Sequence, residues 1–425
     1  MRGSGLLLLG LISGALAQVL VHLAGDTLDT RAYTAMAFYV CSFIFLHFWT
    51  RQKGDIVLLP TLSVLVGLGL AEIWRIDPEL GWQQAQWVVL GTIVFAVASR
   101  FRNWNTVADL KYVWAFVGAI LLLLTLIFGR EVGGAKAWIR IGRASFQASE
   151  VVKLLVVASL AGHLAESKEF LAAPRKRFGF LRIPSTRHFG PLLVMWLLFM
   201  FMFVVQRDLG GALLLFGVFV TMVYVASGRM LYLGIGTLMV AFGGLLAYTF
   251  FDHVRTRFVV WINPWPYFQN RGYQIVQALF SVAAGGVLGT GLGLGSPQLV
   301  PAAVNDFIFV ALVEELGLIG GIAIICLYMV LVARGLRYAA LHGDSVQALV
   351  GMGLSVLLGV QALLILGGVT RLIPVTGVTL PFLSYGGSSL LTSFAQLGLM
   401  YSLSASVPVG PIMPFKSSAE VGAWN

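Results

Sequence analysis

Twelve long apolar runs follow one another down the chain, and that repetition limits the fold more than any other feature. They lie near 5–24, 32–49, 56–74, 83–99, 110–128, 149–165, 190–206, 209–227, 229–251, 307–333, 346–369 and 386–406. A helix rises 1.5 Å per residue, so about 20 residues cross the roughly 30 Å of a bilayer's hydrocarbon. The composition leaves no other class open. With 58% hydrophobic and 11% charged residues among 425, there is too little polar surface to wrap a water-soluble globule. The expected fold is an all-α polytopic membrane protein of about 12 transmembrane helices. The first run lacks a signal-peptide cleavage site and is followed at once by another span, so it is read as retained.

Orientation follows from the basic residues. With the N-terminus inside, more of the 28 Lys and Arg fall on the cytoplasmic side than on the other. The densest cluster, RKRFGFLR (Arg175 to Arg182), then sits in a short inside loop. Both termini are expected in the cytoplasm, and the net charge of +10 suits contact with anionic lipid rather than nucleic acid. Cys41 and Cys326 lie in separate predicted spans, and the six histidines show no metal-ligand spacing. No phosphate-cradling glycine loop or nucleophile elbow is present. No repeat or linker divides the chain, and a short proline-bearing tail follows Ser406.

Two outer loops, 129–148 and 252–306, are long enough to carry function. Within the second, Gln274–Thr290 is apolar and rich in glycine but too short to span comfortably, which predicts a surface or re-entrant helix. Charges cluster beside these loops, where burial in lipid is expensive and marks a cavity or a paired site. Glu150 and Lys153 are three residues apart and share a helical face. Asp208 sits in the turn VVQRDLGGALL, and Asp306 opens the tenth span, all at a similar depth. Each also has a structural reading, as a helix cap or an interhelical ion pair. In VNDFIFVALVEELG, an ideal helix sets Glu314 about 12 Å beyond Asp306 and Glu315 on another face, so neither forms a carboxylate dyad with it. Those two glutamates are expected to be buried in interhelical hydrogen bonds or ion pairs that hold the helix in place.

The segments GGAKAWIRIGRASFQASEVVKL, QRDLGGALL, INPWPYFQNRGYQIVQALFSVAAGGVLGTGLGLGSPQ, NDFIFVALVEELGLIG and PVTGVTLPFLSYGGSSLL resemble, in order, the motifs of the SEDS family (shape, elongation, division and sporulation). That family includes RodA, FtsW and SpoVE, and the surroundings here are more RodA-like than FtsW-like. The resemblance spans about 56–406 and implies a ten-helix core with a large extracytoplasmic loop, 252–306. Residues 1–55 then form an N-terminal extension with two helices, and 407–425 a cytoplasmic tail. Ala148, Arg207, Gly211 and Val304 stand where the family has proline, proline, threonine and histidine.

The resemblance further implies a peptidoglycan glycosyltransferase of the bacterial cytoplasmic membrane, polymerising lipid II at its outer face for wall elongation and shape. Its expected partner is a class B penicillin-binding protein. Asp306 is the implied catalytic residue, and Lys153 and Asp208 are implied to line the central cavity as a pair. Glu150, Arg140, Lys136, Arg271, Ser384 and Tyr385 complete the expected substrate-binding set. A divalent cation, Mg or Mn, would assist, although no ligand cluster demands one. Two alternatives stand beside this: a lipid II flippase, which needs a polar path through the whole membrane, and a noncatalytic scaffold, which needs no acid at 306.

Overall fold

In a computed structural model, the described residues are all but 1, 25–29, 51–52, 133–134, 142–143, 173–175, 179–180, 184–185 and 408–425. Most of the tail and part of the basic cluster 175–182 therefore lie outside them. The chain opens with helices α1 (Arg2–Ala24), α2 (Thr30–Thr50), α3 (Leu58–Ile76), α4 (Pro78–Ala98), α5 (Asn105–Asp109) and α6 (Lys111–Phe128). Strands β1 (Arg130–Val132), β2 (Ala135–Ile141) and β3 (Ala144–Gln147) follow, then α7 (Ala148–Ala172), β4 (Lys176–Phe178) and β5 (Leu181–Ile183). The remainder is α8 (Thr186–Val205), α9 (Leu209–Ser227), α10 (Met230–Phe250), α11 (Asp252–Ile262), α12 (Tyr273–Gly285), α13 (Ile308–Leu341), α14 (Ser345–Val369) and α15 (Gly387–Ser404).

Each of the twelve predicted runs falls on one of these helices. Among the described residues, nine helices are long and apolar enough to cross a membrane. The polar exceptions have a reason in the packing. α4 carries Gln83, Gln84 and Gln86, and α15 is rich in Ser and Thr; the two pack against each other, and their buried amides are satisfied by backbone, Gln84 donating to Ser384 O and Gln396 to Leu354 O of α14. Apolar residues face outward instead: Leu238, Phe242, Leu245 and Phe250 of α10 are exposed, as contact with hydrocarbon requires.

The loop 129–148, expected as a connection, is an antiparallel sheet in the order β1-β2-β3, with Trp138 opposite Gln147 and Arg140 opposite Ser145. The alternation of AKAWIRI is a two-residue period that helix-scaled scanning passes over. Loop 252–306 contains α11 and α12. At 13 residues α12 is about 20 Å long, too short to span, and packs on α13.

α13 is broken at Gly317, whose φ of 71° and ψ of −177° interrupt the helix. A break frees backbone groups that hydrocarbon cannot satisfy, and the chain after α12 takes them up. Thr290 and Gly291 donate their N–H groups to the carbonyls of Glu314 and Glu315, and Leu318 donates to Gly286 O. The side chains of those glutamates hold the same loop. Glu315 accepts from Gly293 N (2.8 Å) and Gly295 N (3.3 Å), and Glu314 accepts from Ser296 N (2.7 Å). Arg75 of α3 lies 3.9 Å from Glu315 and donates to the carbonyls of Gly293 and Gly295. Glu72 is fully buried on the same face of α3.

Candidate active site

Between the ends of α4, α7, α8, α9, α11 and α13 lies a cavity of about 810 Å³. The β-sheet closes one side, and the chain between α14 and α15 closes another. That connection carries Thr376–Thr379 and Tyr385–Gly387 into the wall. That volume is at the upper end of the range of ordinary ligand pockets.

Asp306 reaches the cavity from the turn just before α13. The turn is set by Ser384, which donates to Asn305 O (2.6 Å) and accepts from Leu380 N (2.9 Å), while Tyr385 N donates to Val304 O. Burial lifts the Asp306 carboxyl from 3.8 to about 6, against the opposing pull of Arg257. No ion pair within 4.0 Å engages Asp306 among the described residues. Arg257 and Asp306 converge instead on Gly377. A Cβ built there would lie 3.4 Å from Arg257 Nη2 and 4.0 Å from Asp306 Oδ2. With a φ of +75°, that position favours glycine, so space between cation and carboxylate stays open.

Asp208 caps α9, accepting from Gly211 N at 2.8 Å. Burial raises its pKa, opposed by that hydrogen bond and by the charge of Lys153. The expected Lys153–Asp208 pair is replaced by another. Lys153 Nζ lies 2.8 Å from Glu150 Oε2 and donates to Gln361 Oε1 at 3.2 Å; no ion pair with Asp208 forms within 4.0 Å among the described residues. The reason is helical geometry, since Glu150 is one turn away on the same face of α7. Glu150 also accepts from Thr392 of α15.

Of the remaining predicted residues, Arg140 and Tyr385 line the cavity, and Tyr385 donates to Gln83 Oε1 at 2.8 Å. Lys136, Arg271 and Ser384 do not. Lys136 shares the Arg140 face of β2, but its ammonium is spent on Leu126 O at 2.7 Å. Arg271 is exposed in the turn before α12, and the hydroxyl of Ser384 is spent on the backbone around Asn305. Sequence reading passed over Arg130, Arg207, His253, Arg257 and Asn305 as cavity residues. Arg257 carried a signal, being a base in the loop already singled out by its length. Among the described residues no grouping of three or more His, Cys, Asp or Glu is placed to hold a metal ion.

Fold and site define a multi-pass helical membrane protein with one large charged cavity at the ends of its helices. The cell cycle protein model FTSW_RODA_SPOVE matches residues 75–408, and the chain belongs to that family. It is 39% identical over 364 residues to the peptidoglycan glycosyltransferase RodA of Mycobacterium tuberculosis (strain ATCC 25618 / H37Rv), covering 82% of this chain and 78% of that one. It is 32% identical over 361 residues to the stage V sporulation protein E of Bacillus subtilis (strain 168), covering 82% and 94%. The fold resembles the crystal structure of Thermus thermophilus RodA with a TM-score of 0.58 at 26% identity, over 82% of this chain and 96% of that one. A chain from a peptidoglycan synthase complex gives a TM-score of 0.67 at 26% identity, with the same coverage.

Proposed function

We propose that this chain is a peptidoglycan glycosyltransferase that polymerises lipid II at the outer face of the cytoplasmic membrane, with Asp306 as general base. The observation that carries the reading is the Asp306 carboxylate facing an open gap, with Arg257 across it, inside the large cavity. The acceptor sugar's 4-hydroxyl attacks the anomeric carbon of the lipid-linked donor. A new glycosidic C–O bond forms, the C–O bond to pyrophosphate breaks, and the hydroxyl proton passes to Asp306 as the lipid pyrophosphate leaves. One base and inversion at the anomeric carbon suffice, with no covalent sugar intermediate. A carboxyl with a pKa of about 6 is ionised at neutral pH and remains basic enough to accept that proton.

The names of the relatives support the reaction class, and the neighbour solved within a peptidoglycan synthase complex supports a class B penicillin-binding protein as partner. Transport is less well supported. The deeper acids Glu314 and Glu315 accept backbone N–H groups of residues 293–296, which ties them to a loop rather than to a path through the membrane.

The test supplies lipid II to purified chain, with and without its penicillin-binding partner, and separates glycan ladders. Wild type is expected to polymerise and Asp306→Asn to fail. Undiminished ladders from Asp306→Asn would remove the general-base assignment, and lipid II crossing vesicle membranes without polymer would favour transport.

A further inference from the structure

The roles given to Asp306 and to the Glu150–Lys153 pair leave one wall of the cavity unexplained, and that wall is basic. Arg207 stands in the tight turn between α8 and α9 with a φ of +59°, a left-handed conformation rare for a side-chain-bearing residue. It aims into the cavity and forms no ion pair within 4.0 Å among the described residues. His253 and Arg257 lie four residues apart on α11 and hence on one face. His253 Nε2 is buried without a hydrogen-bond partner. Arg257 spends Nη1 on Thr376 O at 3.0 Å, and its Nη2 faces the space over Gly377.

Burial first, and then the charges of Arg257 and Arg207, lower the His253 pKa, so each arginine lies within electrostatic reach of the imidazole. Arg257 feels the carboxylates of Asp306 and Asp208, while Arg207 has no ion pair within 4.0 Å among the described residues, and an anion with several acceptor oxygens would engage both guanidiniums. The lysine that lines the cavity, Lys153, is already paired with Glu150. A guanidinium fork matches phosphate geometry, and an imidazole with a free nitrogen adds a further contact.

On the premise that the chain transfers a lipid-linked sugar, we infer that Arg207, His253 and Arg257 form the subsite for the donor's pyrophosphate. Arg257 Nη2 and Asp306 Oδ2 both border the space over Gly377, so the basic wall and the base meet where the bond would be exchanged. Arg207 and Arg257 stabilise the charge that builds on the departing pyrophosphate, and His253 hydrogen-bonds its oxygens.

The test measures binding rather than turnover. Full-length chain in detergent is titrated with undecaprenyl pyrophosphate, with inorganic pyrophosphate and with the neutral alcohol undecaprenol. Arg207→Gln and His253→Gln are each expected to weaken both pyrophosphates by about tenfold, the size of one lost charge-assisted hydrogen bond, and to leave undecaprenol unchanged. Arg207→Lys, which keeps the charge, is expected to retain most of the affinity. The inorganic arm isolates headgroup recognition from any grip on the tail. Unchanged affinity for undecaprenyl pyrophosphate in the Arg207→Gln/His253→Gln double variant overturns the assignment even if the chain polymerises lipid II. An equal loss of undecaprenol binding also overturns it, because the variants would then have collapsed the cavity. Wall-dependent pyrophosphate binding by a chain that makes no glycan keeps the anion site and removes the glycosyl-transfer reading.

Discussion

Burial lifts the Asp306 carboxyl to about 6, and the shift has a cost as well as a use. A folded-state value above the 3.8 of free aspartate means that the folded protein holds the proton more tightly than the unfolded chain does. The stabilisation is full below about pH 4, is lost as the pH rises through about 6, and is gone at neutral pH. Asp306→Asn is therefore expected to melt higher than wild type at pH 7.5, by about 1 kcal/mol after allowance for the partly open cavity. The same change should lower polymerisation by about 10²- to 10⁴-fold. A wild-type pH–rate profile should rise across about pH 6 and then level; a flat profile from pH 5 to 8 would remove Asp306 as the titrating base. Lys153 makes a second residue-scale case. Removing one partner of a buried pair costs about 3–5 kcal/mol, so Lys153→Met should destabilise strongly and Glu150→Gln/Lys153→Met should recover much of the loss. A double-mutant cycle in thermal unfolding should find larger coupling of Lys153 to Glu150 than to Asp208. These chemical groups were legible in the sequence because charges are rare in apolar helices. Spacing brought Glu150 to Lys153, but only the fold reveals that Asp208 turns to cap its own helix and that Lys136 is spent on the Leu126 carbonyl.

Element lengths were legible too, since all twelve apolar runs became helices, but the break within α13 was hidden by the apolar character of both halves. Gly317 alone does not announce a break, because glycine is common in membrane helices. The energetic signal lies in its surroundings. A Cβ at Gly317 would fall 2.4 Å from both Gly289 N and Val287 O, and the φ of +71° is strained for any other residue. Gly295 sits between the two carboxylates, with Glu315 Oε1 3.2 Å and Glu314 Oε1 3.3 Å from a built Cβ. Gly317→Ala should cost about 3 kcal/mol or more by adding backbone strain to a collision with rigid backbone. Glu315→Gln, which keeps acceptor capacity for one of the two N–H groups, should cost less than Glu315→Ala, which orphans both. Thermal unfolding of the purified variants orders the three; Gly317→Ala as stable as wild type would show that α13 can close into a continuous helix. The clamp on residues 293–296 lies upstream of the Asp306 turn, so its loosening should lower polymerisation before the protein unfolds.

At the scale of the molecule, polar chemistry divides between the two ends of the bundle. One end holds the cavity. The other holds Asp55 paired with Arg334 at 3.2 Å, Lys111 paired with Glu166, and Arg102 donating to Ser402. The second end also carries the link to the basic segment 175–182, and excess Lys and Arg stay on the cytoplasmic side during insertion. On the function proposed above, the cavity end faces out, where a wall polymer would be assembled. Orientation can be read from two exposed positions. Gln269 lies in the turn between α11 and α12 at the cavity end, and Gly343 lies between α13 and α14 at the other, where a Cβ meets nothing within 4 Å. Cys41 and Cys326, both exposed on helix surfaces, are first replaced by Ala so that a single thiol reports. In intact cells Gln269→Cys should react with a membrane-impermeant maleimide, and Gly343→Cys should react only after permeabilisation. The reverse pattern would set Asp306 and the basic wall in the cytoplasm. Lipid-linked precursors exposed there could not be joined to a polymer growing outside, and the chain would have to move them across the membrane instead.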